Sequence, residues 1–194
     1  GLAGNTTTHY DFVTPEYQIF DSQQPVKWEC TRGIGRSFGF NRTECGSDYL
    51  NGAQIIDMLV RIVSRGGNLL LNIGPRADGT VPYEQVKPLL ETGEWLRVNG
   101  EAIYGTRPHS TLEYKDADGC SVCMTKTRDA LYAIALRPDM PASYEVKGLM
   151  LEENAHVELL GAGEVQWFAE EDCTVFNLPE NLPKQAAYTL KIHR

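Results

Sequence analysis

The segment from Trp28 to Glu44 concentrates side chains able to do chemistry. It holds two carboxylates, Glu29 and Glu44, the arginines Arg32, Arg36 and Arg42, and the aromatics Trp28, Phe38 and Phe40, in a stretch broken by Gly33, Gly35 and Gly39. Glycines let the backbone fold close to a small ligand. Aromatic faces beside hydrogen-bonding groups suit a sugar ring, whose C–H patches are apolar and whose hydroxyls need partners. Composition alone fits a surface loop equally well, with its Arg and Glu solvated and Phe38 and Phe40 packed in the core.

The elements around this segment alternate in type. Trp28 to Arg32 reads as a short strand and Ser37 to Phe40 as extended chain. From about Gly52 to Arg65, Ile55, Ile56, Leu59, Val60 and Val63 recur at helical spacing, with Gln54, Asp57 and Arg61 on the other side. Gly66-Gly67 supplies the left-handed stop. Asn68 to Ile73 is a continuous apolar run of strand length, the pattern of a parallel strand covered on both faces. Gly74 to Gly79 is a turn-rich loop, and a second helix is expected from about Tyr83 to Val98, ending at Gly100, with Pro88 predicting a kink or a late start. In α/β barrels reacting groups sit at the carboxyl ends of strands and on the loops that follow, which is where the Trp28–Glu44 groups fall.

Beyond Pro108 the texture changes to short stretches rich in β-branched and aromatic residues, with turn residues about every ten positions. Expected strands are 111–114, 121–125, 131–136, 143–147, 156–160, 165–168, 173–177 and 188–193, with a hairpin at Asp118-Gly119. That series suggests a sandwich. The fold class expected is therefore α/β followed by all-β: barrel elements over residues 1–106 and an antiparallel β-sandwich over 107–194. A complete (β/α)8 barrel takes about 250 residues. The 194 residues of this chain can hold only part of one.

Bulk properties narrow the function. The net charge of −8 has no offsetting Lys/Arg cluster, which argues against nucleic acid as a partner. No apolar run approaches the ~20 residues that cross a bilayer, so no membrane partner is expected. Five cysteines, an odd number in a chain large enough for its own core, do not indicate a disulfide framework. Cys120 and Cys123 are three apart on an expected strand, pointing to opposite faces, so they read as packing thiols and no metal site is expected. Asn5-Thr6-Thr7 and Asn41-Arg42-Thr43 match the glycosylation acceptor pattern, which arises often by chance.

The run from Trp28-Glu29 through Thr31-Arg32-Gly33 and Ser37-Phe38-Gly39-Phe40-Asn41-Arg42 to Glu44 closely resembles the α-L-fucosidases of glycoside hydrolase family 29. The resemblance continues through Val63 to Thr80, with Arg65-Gly66-Gly67-Asn68-Leu69-Leu70-Leu71-Asn72-Ile73-Gly74-Pro75 at its centre, then Gly93-Glu94-Trp95-Leu96 and Asn99 to Gly105. His9-Tyr10-Asp11-Phe12 and Thr14-Pro15-Glu16-Tyr17 are weaker upstream matches. Past Pro108 only the strand texture agrees with that family's C-terminal sandwich.

The resemblance implies the last strands and helices of the catalytic barrel plus the sandwich of a retaining exo-hydrolase that removes terminal α-L-fucose from glycoconjugates. Such an enzyme uses two carboxyl groups roughly 5–5.5 Å apart. Glu44 falls where one branch of the family carries its general acid/base, with Glu29 the runner-up. Arg32 falls on a sugar-contacting arginine, while Trp28 and Phe40 are expected as pocket walls. His9 could reach the site from its loop, though a lone histidine is more often structural. Asn72 is expected to tie down the Gly74–Gly79 loop. Trp95 and Tyr104 are expected to pack against the barrel wall or the sandwich. The family's nucleophilic aspartate belongs to an upstream motif that nothing in residues 1–194 matches, so the isolated chain is expected to be inactive. No cofactor is implied. The expected partners are a fucosylated glycan and the missing N-terminal barrel portion or another copy of the chain. The alternative is a non-catalytic carbohydrate-binding or subunit-interaction fragment.

Overall fold

A computed structural model describes residues 10–194. Strand β1 (Trp28–Gly33) and strand β2 (Gly67–Asn72) pair in parallel, from Trp28 opposite Gly67 to Gly33 opposite Asn72. Helix α1 (Gly52–Ser64) makes the crossover between them. On the free edge of β1 an upstream segment runs parallel through bridges at Val13–Trp28 and Glu16–Thr31. Three neighbouring parallel segments with a crossover helix are barrel wall.

Alternation assigns the two faces of this wall. Trp28 and Cys30 point to α1 and form one buried cluster with Met58 and Ile62. Phe20 meets the Trp28 ring edge-on at 5.0 Å, and Trp28 Nε1 donates to the Arg65 carbonyl at 3.3 Å. Gly67 is required under that ring, since a β-carbon there would stand 2.4 Å from it. Helix α1 begins at an Asn51 capping box, whose side chain accepts from Gln54 N–H while Gln54 answers to Asn51 N–H. It ends at Gly66 with φ +82°. Its buried stripe includes Met58 and Ile62, which the periodicity reading did not name, while Leu59 and Val63 are only half-buried.

Three expectations for this region differ from what the chain shows. Within these residues strand β2 is covered on one face only: Leu69 and Leu71 lean toward α1, but Leu70 on the opposite face is 50% exposed. Ser37 to Phe40 forms bends rather than strand. Helix α2 (Tyr83–Asn99) starts five residues before Pro88, so the late start is not seen. Gln85 and Val86 N–H both donate to the Pro82 carbonyl to open it.

The chain divides between Glu94 and Trp95 into two compact units. In the second, Trp95 Nε1 donates to the Ala187 carbonyl at 2.8 Å and Thr125 Oγ1 to the Ala102 carbonyl at 2.7 Å. These bonds tie the residues before Pro108 to the strands. Tyr104, expected to pack, is 66% exposed.

Nine antiparallel strands follow: β3 (Arg107–Asp116), β4 (Ser121–Lys126), β5 (Ala130–Ala135), β6 (Ser143–Lys147), β7 (Val157–Leu159), β8 (Gly163–Glu164), β9 (Gln166–Ala169), β10 (Cys173–Asn177) and β11 (Tyr188–His193). Their order is β8-β7-β11-β5-β4-β3-β6-β10-β9. β3 meets β6 only at Lys115–Lys147 and Asp116–Val146. Met124, Ala133 and Leu190 from one flank share a single core with Tyr144, Val146 and Phe176 from the other. The ladder therefore folds at that corner into a sandwich. The Asp118-Gly119 hairpin forms, with Gly119 at φ +82°. None of the five cysteines is joined to another in a disulfide.

Candidate active site

The loop after β1 is folded by its own short side chains. Asn41 Oδ1 accepts from the N–H and hydroxyl of Thr43 at 3.0 and 2.8 Å, and its amide donates to Ser37 Oγ at 3.2 Å. The turn closes as Glu44 N–H donates to the Asn41 carbonyl. Asn41 thus serves as a turn former. Immediately after Glu44, Asp48 accepts from Cys45 N–H at 2.9 Å and pairs with Arg36 at 3.0 Å. The Cys45 N–H first, and the Arg36 charge with it, hold the Asp48 carboxyl below its ordinary value.

Between these two turns Glu44 is half-buried. Its Oε2 fills the place where a β-carbon at position 35 would stand, 2.4 Å away, and its Oε1 is shielded from solvent with no hydrogen-bond partner among the described residues. Tyr49 closes the other side of Gly35.

The loop after β2 is laced to this one. Asn72 Nδ2 donates to the Phe38 carbonyl. That corrects the expectation for Asn72, whose amide binds the neighbouring loop rather than the Gly74–Gly79 loop. Gly74 lies so close to Phe40 that a β-carbon would come 2.5 Å from Phe40 N. Gln85, 1% exposed, reads both backbone groups of Gly74, accepting from its N–H at 2.8 Å and donating to its carbonyl at 3.3 Å. Phe40 remains 37% exposed, with the Arg76 guanidinium 5.6 Å from its ring centre.

The remaining sequence-nominated residues occupy different places. Trp28 is 1% exposed and offers no face to a ligand, because its ring is spent on the α1 layer. Arg32 is on the same side of the strand: its Nη1 is 3.9 Å from Met58 sulfur and its guanidinium 4.9 Å from the Tyr17 ring centre. Glu29 shares the opposite face with Thr31 and Asn68, but stands four residues below the end of β1, about 13 Å at strand rise. His9 lies outside the described residues.

Sequence reasoning missed Tyr17. Its hydroxyl accepts from Gly33 N–H at 3.1 Å and donates to the Arg36 carbonyl at 3.2 Å. Its backbone holds φ +54°, a left-handed conformation that costs a tyrosine roughly 1–2 kcal/mol. Phe38 meets its ring edge-on at 5.4 Å. The only sequence signal was the weak upstream match Thr14-Pro15-Glu16-Tyr17. Gln85 carried none.

This is a loop cluster at the carboxyl ends of two parallel strands, with one carboxyl group held between turns and an aromatic left open. Among known proteins, a family model described as alpha-L-fucosidase matches residues 2–101. The chain belongs to the α-L-fucosidase family. It is 34% identical to the tissue alpha-L-fucosidase of Homo sapiens over 173 residues, 86% of this chain and 37% of that protein. It is 47% identical to an alpha-L-fucosidase of Dictyostelium discoideum over 85 residues, 44% of this chain and 18% of that protein. The fold matches a crystal structure of Thermotoga maritima alpha-fucosidase in complex with a mechanism-based inhibitor, with TM-score 0.89 and 34% identity over 97% of this chain and 44% of that one. The chain thus spans less than half the length of these fucosidases.

Proposed function

We propose that this chain supplies the acid/base side of a retaining exo-α-L-fucosidase, with Glu44 as the proton carrier and the nucleophile outside residues 1–194. The observation that carries this reading is the Glu44 carboxyl itself, at a strand-end mouth with one buried oxygen that accepts no hydrogen bond among the described residues. In the first displacement Glu44 gives its proton to the departing glycosidic oxygen as a second carboxylate bonds to the anomeric carbon. In the second, Glu44 takes a proton from water, whose oxygen displaces that carboxylate and returns C1 to its starting configuration. The depth of Glu29 supports Glu44 over it, since barrel chemistry is done at the carboxyl ends of strands. Phe40 is the side chain whose placement best supports contact with the apolar face of fucose. Arg32, turned to the helix side, better suits bracing Tyr17 at the end of β1 than the direct sugar contact that the resemblance implies. The open Leu70 face supports association with the rest of a barrel, supplied by the N-terminal portion or another copy, and the substrate would be a fucosylated glycan.

The test is Glu44→Ala in an active fucosidase containing this segment. Aryl fucosides with good leaving groups should still glycosylate the enzyme, and azide, attacking the glycosyl-enzyme, should restore turnover with α-fucosyl azide as product. Absence of rescue, or equal rescue in Glu29→Ala, would move the role away from Glu44. The 194-residue chain alone should leave an aryl α-L-fucoside intact, and hydrolysis would overturn the divided pair.

A further inference from the structure

The second unit carries a side-chain cluster that the fucosidase reading does not use. His156, Glu158 and His193 each direct one ligand atom into a common space, all within 4.8 Å of one another. Among the described residues this is the one grouping of His, Cys, Asp and Glu close enough to share an ion. Strand pairing explains it. β7 and β11 are antiparallel, with Val157 opposite Ile192, and the ladder extends as His193 N–H donates to the His156 carbonyl at 2.9 Å. His156 and His193 are therefore cross-strand neighbours on the face away from the core, and Glu158 follows two residues after His156 on that same face. The imidazole centres are 4.7 Å apart. Glu164 of β8 pairs opposite Glu158 and brings its Oε1 to 3.8 Å from His156 Nε2.

We propose that His156, Glu158 and His193 form a binding site for a divalent transition ion of the zinc class, with Glu164 facing the other ring nitrogen of His156 and orienting it. Two imidazoles and a carboxylate are the ligand set such ions take. A tetrahedral zinc with nitrogen and oxygen at its usual bond lengths spaces its ligand atoms about 3.3 Å apart. His193 Nε2 stands 2.9 Å and His156 Nδ1 3.8 Å from Glu158 Oε1, which brackets that spacing. Two ligand spacings lie within about half an ångström of that value, and the third, no more than 4.8 Å, closes by rotation of the exposed His156 side chain. The obvious competitor for the Glu158 carboxylate is Lys191, its cross-strand partner, but the Lys191 ammonium is drawn off to Glu101 at 2.7 Å. His156 and Glu164 also line an open cleft of about 540 Å³, through which a dissolved ion reaches the ligands. The site does not depend on Glu44 or on the proposed reaction.

The test is titration of the reduced 194-residue chain with Co2+, followed by displacement with Zn2+. One equivalent should bind with the visible bands of nitrogen and oxygen ligation and no thiolate charge-transfer band. His156→Gln and His193→Gln should each weaken binding by about tenfold or more, since loss of even a supporting partner costs a metal site that much. Zn2+ should raise the melting temperature of the parent chain and, at the same concentration, raise that of either variant less. His156 is exposed and His193 half-buried, so the metal-free variants should melt close to the parent, which a scan without metal checks. Undiminished affinity in either histidine variant, a thiolate band, or no binding at millimolar metal would overturn the proposal and leave the cluster an ion-pair network only.

Discussion

Glu44 and Gly35 contend for one space: the glutamate carboxylate lies across the glycine Cα, where only a hydrogen leaves room for it. Position 35 has an ordinary backbone conformation, so Gly35→Ala strains no dihedral angle. The added methyl meets the mobile end of Glu44 and the Tyr49 ring edge, 3.0 Å away. The fold should survive with a loss of about 1 kcal/mol or less, while the carboxyl is pushed off its position. A misplacement near 1 Å can cost about 10² in rate. In an active fucosidase containing this segment, kcat/KM should therefore fall by that order for poor leaving groups and much less for good ones, because only the former need the proton. A uniform loss across leaving groups would point to a structural effect instead.

How much of this was legible in the sequence depended on whether a feature was local. Helix α1 with its Gly66 stop and the Asp118-Gly119 hairpin are written in adjacent residues, and they form as read. The two-residue β8 was not separable from β9, since a pair of residues carries no periodicity. The side to which Trp28 turns was hidden, because alternation fixes which residues share a face but not which face meets the helix. Asn72 could be nominated as a loop tie, yet its partner Phe38 lies on a different loop that only the parallel pairing of β1 and β2 brings near. His156 and His193 were invisible as a pair for the same reason.

The sandwich should be most sensitive at Asp116. Its carboxylate is fully buried, with Oδ2 2.9 Å from Arg137 Nη1 and Oδ1 accepting from the N–H groups of Asp118 and Cys120 at 3.0 and 2.8 Å. Asp116→Ala strands a largely buried guanidinium and two backbone donors. The cost should be about 3–5 kcal/mol, toward the lower end because Asp118 still reaches Arg137 at 3.0 Å. Asp118→Ala, which removes an exposed partner, should cost less than about 1 kcal/mol. Denaturant melts of the two variants check the ranking, and equal losses would contradict it.

Glu101 gives the second unit a defined acid response. Burial works to raise its pKa, but the hydrogen bonds from Lys191 and Tyr132, with the Lys191 charge, outweigh burial and hold the carboxyl below its ordinary value. A depressed carboxyl contributes stability that is fully present above the unfolded value, about 4.3, and is lost as pH falls through the lower folded value. Glu101→Gln should therefore be less stable than the parent at neutral pH, with the gap closing below about pH 4.3. The Glu101 side chain is 43% exposed, which limits the gap to about 1 kcal/mol or less. Lys191 is shifted upward by the same pairing, so its share persists below the ordinary lysine value and is lost only as pH rises through the folded one. Stability curves of parent and variant from pH 3 to 7 measure this, and a gap that widened in acid would reverse the sign.

Leu70 tests whether the open face of the barrel wall is meant to be covered. It sits mid-strand opposite Thr31, half exposed, while its neighbours Leu69 and Leu71 turn to the α1 layer. If that face stays in water, Leu70→Asp should shift stability by no more than about 0.5 kcal/mol, as surface changes do. If further barrel strands close over it, the same change buries an unpaired carboxylate, and several kcal/mol are lost. The expected outcome is both results in two proteins: no change in the melting temperature of the 194-residue chain, and a severe drop in a complete fucosidase containing it. Mixing the chain with the remaining barrel portion gives an independent reading, since the parent should co-elute with it and Leu70→Asp should not. A variant that melts and assembles like its parent in the longer protein would mean that the exposed strand face is a true surface.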